Sequence, residues 1–302
     1  MPSMIVYKGL LAVAIAAASV YGALCATLYF KQTQLIFKPT SLLTETPADQ
    51  LLAYEEVWID LDGKAAPGKG LHGWWLPRLS GPLAELSLTL LYLHGNSENI
   101  GANLGLAHRY QQMGFNVLLV DYRGYGLSPG PFPNEQRVYE DAIAAHTYLT
   151  QTRQIPSQRL WLFGHSLGGA IAIELATQQQ AAGLIVQSTF SSMLEAVNLT
   201  GQYGWFPVDQ ILTQRFDSIA KVPQLQLPVL YIHGLEDDTT AAVMSEQLHA
   251  VSPSPKQLWL VPGAGHNNVA KTTGPQYFTT VETFVQQTQP AVSIQPPGSP
   301  VE

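Results

Sequence analysis

The segment Gly-His-Ser-Leu-Gly-Gly at residues 164–169 constrains this chain more than any other. It follows the apolar run 160–163, which is typical of a buried strand, and it precedes the helix-like stretch 170–175. A serine at a tight strand-to-helix turn exposes its hydroxyl, and flanking glycines leave room for the neighbouring backbone. The pattern G-x-S-x-G arises by chance in about one chain in ten of this length, so the strand and helix around it carry the inference. They predict that Ser166 is a nucleophile.

A serine hydroxyl attacks a carbonyl at neutral pH only when a histidine takes its proton and a carboxylate holds that histidine. Of the eight histidines, His266 alone follows a Gly-Ala-Gly turn past the last predicted strand, at 258–261, and it is the predicted base. The acid is expected in the loop after the strand at 230–232. Three neighbouring carboxylates are the candidates in that loop: Glu236, Asp237 and Asp238.

Three other histidines are interpreted as structural. His165 lies inside the turn that carries Ser166, and we expect its ring to point away from the nucleophile. His94 and His233 each precede a glycine at a strand end. Polar side chains at such positions commonly form hydrogen bonds with nearby backbone groups, so neither is a candidate base.

Attack on a carbonyl also requires two backbone N–H groups that point to the developing negative charge. Leu167 comes directly after Ser166, at the amino end of a predicted helix whose dipole favours an anion. The second group is expected in the loop 94–99, which follows the strand at 88–93. We therefore predict an oxyanion hole formed by the N–H groups of Leu167 and Asn96.

Six segments, taken in order, resemble the alpha/beta-hydrolase superfamily. They are residues 93–96, 121–128, 164–169, 216–218, 233–237 and 263–266, and they extend over about residues 35 to 290. Within the superfamily, the chain is similar to membrane-anchored serine hydrolases with small lids, a branch that includes acyl-protein thioesterases and monoacylglycerol-lipase-like enzymes. The resemblance implies the chain order Ser, Asp, His, and its usual spacing His-Gly-x-x-Asp favours Asp237 as the acid. It also implies a structural role for residues 121–128.

Alternating strand-like and helical patterns predict an α/β fold with a mostly parallel sheet covered by helices on both faces. Two antiparallel strands at 55–61 and 71–76 are expected to precede it. With the resemblance, this gives an alpha/beta-hydrolase domain with an eight-stranded sheet at 35–288 and a short lid at about 188–227. The proline- and serine-rich segment 289–302 is expected to be a disordered tail.

Charge and cysteine content exclude several classes of function. The net charge is −7 and lysines and arginines do not cluster, so we expect no nucleic-acid partner. The sequence has no C-x-x-C motif and no grouped histidine, cysteine and carboxylate ligands, so we expect no metal and no other cofactor. The single cysteine, Cys25, excludes an internal disulfide. We expect the chain to act as a monomer.

An uncharged apolar run begins at Gly9 and ends at Phe30, between Lys8 and Lys31. As a helix it would span about 33 Å, slightly more than the roughly 30 Å hydrocarbon layer of a bilayer. A signal peptide has an apolar core of only about 7 to 15 residues and small residues at its cleavage site. We therefore predict a single-pass membrane anchor at residues 1–34, with a cleaved signal and secretion as the alternative. The flanking lysines leave the orientation open.

The insertion at 188–227 largely sets the pocket in folds of this kind, and its apolar side chains include Phe190, Met193 and Trp205. We expect these three to line an acyl site next to the bilayer. The predicted protein is therefore a serine esterase, lipase or thioesterase that acts on a lipid or other acylated small-molecule substrate. Two alternatives are a serine peptidase of the proline-iminopeptidase type, whose cap carboxylates hold a free amine, and a non-catalytic binding module of the same fold.

Overall fold

An eight-stranded sheet organises the part of the chain that the computed structural model describes, which is residues 4–97, 99–253 and 255–289. In chain order the strands are β1 (Glu55–Ile59), β2 (Leu71–Leu76), β3 (Thr89–Leu93), β4 (Asn116–Val120), β5 (Leu160–His165), β6 (Gly183–Gln187), β7 (Val229–Gly234) and β8 (Lys256–Val261). Across the sheet they lie in the order β1-β2-β4-β3-β5-β6-β7-β8. Strand β2 is antiparallel to both of its neighbours, β1 and β4, and every other neighbouring pair is parallel. The predicted fold class is confirmed.

Ten α-helices lie in the described residues. They are α1 (Met4–Ile36), α2 (Ile100–Met113), α3 (Glu135–Thr147), α4 (Leu167–Gln178), α5 (Met193–Thr200), α6 (Val208–Ile211), α7 (Ser218–Lys221), α8 (Ala242–Val251), α9 (Val269–Thr273) and α10 (Pro275–Thr288). Helices α5, α6 and α7 lie in the predicted lid. Apart from Gln289, the predicted tail falls outside the described residues.

The core consists of two apolar layers, one on each face of the sheet, because successive side chains of a strand point to opposite faces. Strand β3 shows this division. Leu91 and Leu93 pack into a layer that includes α4, whereas Leu90 and Tyr92 pack into a layer that includes α2 and α10. Strands covered on both faces are apolar throughout, so in the sequence they form continuous apolar runs rather than alternating patterns.

The N-terminal helix α1 is continuous over 33 residues. Its segment from Val6 to Ile36 is long and apolar enough to cross a membrane, a property that a signal sequence shares. Most of its surface is exposed, but Ile36 and the following Phe37 are buried in the core of the domain. The helix is therefore joined to the sheet domain by packed side chains.

The turn between β5 and α4 places Ser166 at the carboxyl edge of the sheet. Ser166 has a φ of 54° and a ψ of −120°, a strained conformation for a residue other than glycine. The two flanking glycines are required by contact with rigid backbone. A Cβ atom on Gly164 would lie 2.2 Å from the carbonyl oxygen of Gly168, and one on Gly168 would lie 2.1 Å from that of Leu93. Helix α4 therefore begins in direct contact with β3 and β5.

We predict that Gly168→Ala destabilises the protein by about 3 kcal/mol, because the added methyl group overlaps a strand carbonyl that cannot move aside. Gly105→Ala is a matched control, since this position in α2 has no atom within 4 Å of the added Cβ. The control is expected to stabilise the protein by up to about 1 kcal/mol through helix propensity. Thermal unfolding of both variants in detergent solution measures the difference. Equal melting temperatures would show that the close contact between α4 and β3 is not required for stability.

Candidate active site

Three loops bring Ser166, Asp237 and His266 together at the carboxyl ends of β5, β7 and β8. Nε2 of His266 lies 3.0 Å from the Ser166 hydroxyl oxygen, and its Nδ1 lies 2.8 Å from Oδ2 of Asp237. When Nδ1 carries the ring proton and donates it to Asp237, the Ser166 hydroxyl donates to Nε2. In this arrangement the histidine is oriented to take the serine proton.

Asp237 is the acid that reaches the imidazole, whereas Glu236 and Asp238 are exposed to solvent. Its Oδ1 accepts hydrogen bonds from the backbone N–H groups of Thr239 and Thr240, at 2.9 and 2.8 Å. Burial alone would raise the pKa of Asp237. Hydrogen bonds from His233, His266 and the Thr240 backbone outweigh burial and hold this pKa well below its usual range, so the carboxylate is ionised.

Sequence reasoning missed two contacts that orient Asp237. The Thr240 hydroxyl oxygen lies 3.0 Å from Oδ2 of Asp237 and 3.2 Å from Nδ1 of His266. Nε2 of His233 donates to the Thr240 carbonyl at 2.9 Å and also lies 3.1 Å from Oδ2 of Asp237, while its Nδ1 accepts from the Ser245 hydroxyl. The aspartate followed by two threonines was a local signal for such a turn, because aspartate side chains commonly accept hydrogen bonds from backbone N–H groups a few residues further along the chain.

The predicted oxyanion groups flank Ser166. Leu167 is the first residue of α4, and neither its N–H nor that of Asn96 donates a hydrogen bond to another described residue. The Asn96 carbonyl accepts from the Tyr125 hydroxyl at 2.7 Å and from the Lys38 N–H at 2.9 Å. The Asn96 side chain donates to the Ile36 carbonyl at 2.8 Å. The loop is thus held from two sides, which agrees with the structural role expected for residues 121–128.

An apolar cavity of about 260 Å³ opens beside Ser166. Its wall is formed by the lid and by the end of α1, and the predicted residues Phe190 and Met193 both line it. Trp205 does not line it, which corrects the expectation from the sequence, because its side chain is 89% exposed on the outer side of the lid. The adjacent Phe206 points into the cavity instead. In a turn, neighbouring side chains point in different directions, and composition does not show which one faces inward.

A second, polar cavity of about 470 Å³ lies on the other side of Ser166 and His266. Asn103, Gln187 and His165 are among its lining residues. The ring of His165 does not point away from the site as expected, since its centroid lies 5.0 Å from that of His266. Burial, and secondarily the charge of His266, lower the pKa of His165 to about 4, so this side chain is neutral at physiological pH. Among the described residues, no aspartate, glutamate, lysine or arginine lines either cavity.

Comparison with known proteins supports the fold and the superfamily that the sequence predicts. Residues 84–216 match a family described as serine aminopeptidase, S33. An uncharacterized protein of Mycobacterium tuberculosis is 33% identical over 261 residues, which is 86% of this chain and 89% of that protein. The chain belongs to the alpha/beta hydrolase superfamily. The alpha/beta hydrolase domain-containing protein WAV2 of Arabidopsis thaliana is 27% identical, with 81% of this chain and 82% of that protein covered.

Solved structures of other alpha/beta hydrolases are similar to this one in fold. An esterase of Pyrococcus furiosus superposes with a TM-score of 0.66 at 19% identity, covering 84% of this hydrolase and 98% of that chain. A puromycin-hydrolyzing peptidase of Mycobacterium tuberculosis gives a TM-score of 0.63 at 20% identity and covers 80% of this chain but 40% of that one. Both likenesses show the shared fold alone, and one of these two neighbours is an esterase and the other a peptidase.

We predict that Thr240→Val, which keeps the size of the side chain at the wall of the apolar cavity, lowers kcat for a p-nitrophenyl ester about tenfold while KM changes little, because the hydroxyl orients Asp237 and His266. A hydrogen bond to a charged group contributes roughly 1.5 kcal/mol, which corresponds to that factor. Thr240→Ser, which keeps the hydroxyl, is expected to restore most of the rate. A valine variant with unchanged kcat would mean that the backbone contacts alone position the acid.

Proposed function

We propose that this hydrolase cleaves a carboxylic ester or thioester through a covalent acyl-enzyme, and that its substrate is a lipid or another acylated molecule at a membrane. The observation that carries the proposal is the continuous chain of contacts from Asp237 through His266 to the Ser166 hydroxyl, at 2.8 and 3.0 Å. Ionised Asp237 supplies the charge that stabilises a protonated imidazole during attack.

The reaction proceeds in two acyl-transfer steps. In the first, the Ser166 oxygen bonds to the substrate carbonyl carbon while His266 takes the serine proton, and the backbone N–H groups of Leu167 and Asn96 stabilise the oxyanion. The bond to the leaving group then breaks, and His266 returns the proton to the departing oxygen or sulfur. Water attacks the acyl-enzyme in the same manner, which releases the acid and regenerates the serine.

We infer from the two cavities where the two halves of the substrate bind. The apolar cavity suits the acyl group, because burial of each methylene there contributes about 0.8 kcal/mol. The polar cavity suits an uncharged leaving group that forms hydrogen bonds, since Asn103 and Gln187 offer amides and neutral His165 adds no charge. This division is consistent with the thioesterase-like and monoacylglycerol-lipase-like branch of the superfamily.

Serine aminopeptidase activity, which the matching family's description names, is the second candidate. Such an enzyme needs a carboxylate to hold the free amine of its substrate. The lid carboxylates are otherwise engaged or turned outward: Glu195 bonds to Ser191 and Gln247, Asp209 pairs with Arg215, and Asp217 is exposed. None of them lines either cavity in the described structure. The ester or thioester reaction is therefore preferred.

We further propose that α1 is retained as a single-pass membrane anchor and is not removed as a signal peptide. Leu28, within the apolar run, lines the apolar cavity, so cleavage after the run would remove part of that wall. The Tyr21 ring, also within the run, stacks on Phe206 of the lid, and this contact supports the same conclusion.

Covalent labelling tests whether the site is catalytic. A fluorophosphonate probe reacts with activated serines, and we expect the wild-type protein to be labelled and Ser166→Ala to remain unlabelled. Ser191→Ala is a suitable control, because this buried serine of the lid lies outside the triad and the variant should label normally. An unlabelled wild-type protein would favour a non-catalytic binding module.

A substrate panel separates the two hydrolase reactions. We expect turnover of p-nitrophenyl esters and acyl thioesters, and at least about a hundredfold lower kcat/KM for aminoacyl anilides with a free amine, because an unpaired ammonium group would be buried without a counter-charge. Each activity is compared with that of Ser166→Ala. Faster turnover of the aminoacyl anilides would reverse the preference and assign the protein to the peptidases.

A further inference from the structure

The carboxyl end of the membrane helix is part of the active site, and not merely a tether that precedes it. Four residues of α1 line the apolar cavity next to Ser166: Leu28, Gln32, Leu35 and Ile36. They are spaced at i, i+4, i+7 and i+8, so they form one continuous face of the helix. The lid forms the opposite wall, with Phe190, Met193 and Phe206 among its side chains.

Gln32 fastens the lid to this face of the helix. It is one of the few polar residues of α1, and it is buried with 7% exposure. Its Oε1 accepts from the backbone N–H groups of Thr213 and Gln214, at 2.7 and 3.2 Å, and its Nε2 donates to the carbonyls of Tyr29 and Ile211. A side chain with this many partners across two elements fixes the lid relative to the helix and sets the width of the cavity.

The tip of the lid reaches back along the apolar part of α1. The Tyr21 hydroxyl donates to the Trp205 carbonyl at 2.9 Å, and the Tyr21 ring stacks on Phe206 at 5.9 Å between centroids. Tyr21 precedes Leu28 by about 10 Å along the helix axis. Trp205 itself is 89% exposed, and tryptophan and tyrosine are the residues that concentrate at membrane–water interfaces. The lid tip therefore packs against the apolar part of α1 with an exposed aromatic side chain, and the cavity lies directly beside it.

We propose that α1 and the lid together form the binding site for one long acyl chain, which enters from the bilayer and lies against Leu28, Leu35 and Ile36 with its carbonyl at Ser166. This inference rests on the proposed ester or thioester hydrolysis and adds the source and position of the acyl group. An apolar chain that moves from lipid into this cavity stays in apolar surroundings, so no exposure to water opposes its entry. The ligand is thus a membrane-resident acyl lipid or acylated molecule, and not a water-soluble ester.

Substitutions in the helix wall test the acyl site. The full-length protein in detergent micelles hydrolyses p-nitrophenyl esters of increasing chain length, and the readout is the ratio of kcat/KM for laurate to that for acetate. We expect Leu28→Trp, which fills the cavity, to lower this ratio about tenfold or more, and Leu28→Ala, which enlarges it, to move the preferred length upward. Leu35→Trp, at the more exposed rim, provides a second filling variant that the fold tolerates more easily.

Leu10→Trp is the matched control, because Leu10 lies on the same helix, is 65% exposed and does not line the cavity. Its laurate-to-acetate ratio is expected to equal that of the wild type. If the Leu28 and Leu35 variants keep the same ratio as this control, the acyl chain does not contact the helix and the inference is overturned. The underlying hydrolase proposal fails separately, and with it this inference, if wild-type protein shows no acetate hydrolysis that Ser166→Ala abolishes.

Entry from the bilayer is tested with reconstituted protein. p-Nitrophenyl palmitate is incorporated in phosphatidylcholine vesicles, either in the same vesicles as the enzyme or in separate ones at equal total concentration. We expect hydrolysis to be at least about tenfold faster when enzyme and ester share a bilayer, because confinement raises their effective concentration. Addition of albumin, which carries the ester through water, is expected not to raise the rate in shared vesicles. Equal rates in shared and separate vesicles would show delivery through water and overturn this route.

Discussion

The strained turn at Ser166 is the constraint on which the remaining structure depends. A positive φ at a residue other than glycine costs of order 1–3 kcal/mol and persists only where surrounding contacts enforce it. Here the Ser166 N–H donates to the Gln187 carbonyl, and the Ser166 carbonyl accepts from the Thr189 hydroxyl, both at 2.9 Å. Close contact between α4 and β3 completes the enclosure. The same contacts that hold the hydroxyl outward also place the Leu167 N–H beside it, so the proposed nucleophile and a proposed oxyanion donor come from one turn.

The sequence predicted those features that lie next to strands. Ser166, Asp237 and His266 each come within five residues of the end of an apolar run, and the carboxyl ends of parallel strands meet at one edge of a sheet, so their convergence could be inferred without coordinates. The choice among three adjacent acids could not be made from the residues alone and depended on the resemblance. In the structure the choice follows from direction: Asp237 turns inward to Thr240 and His266, whereas Glu236 and Asp238 face solvent.

Contacts between segments that are far apart in the sequence could not be predicted in this way. Nothing in the local pattern around Gln32 indicates that it binds lid backbone 179 to 182 residues away in the chain. The apolar run ends at Phe30, but the helix continues to Ile36 because its last turns pack against the domain. The boundary expected after residue 34 therefore falls within α1. Helix α1 and the hydrolase domain share one cavity, although composition alone separates them into two units.

The electrostatics of the site support the proposed division of one substrate between the two cavities. Asp237 is the only carboxylate in contact with His266 among the described residues, and its oxygens are occupied by the imidazoles and by Thr239 and Thr240. It therefore has no free acceptor for a ligand, and the described residues of the cavity walls add no formal charge. Recognition of the substrate then depends on apolar contact at the wall that α1 and the lid form, and on amide and hydroxyl groups in the polar cavity. Consider a substrate that is apolar on one side of its scissile bond and polar but uncharged on the other. It fits both cavities in one orientation only. That orientation puts its carbonyl between Ser166 and the N–H groups of Leu167 and Asn96.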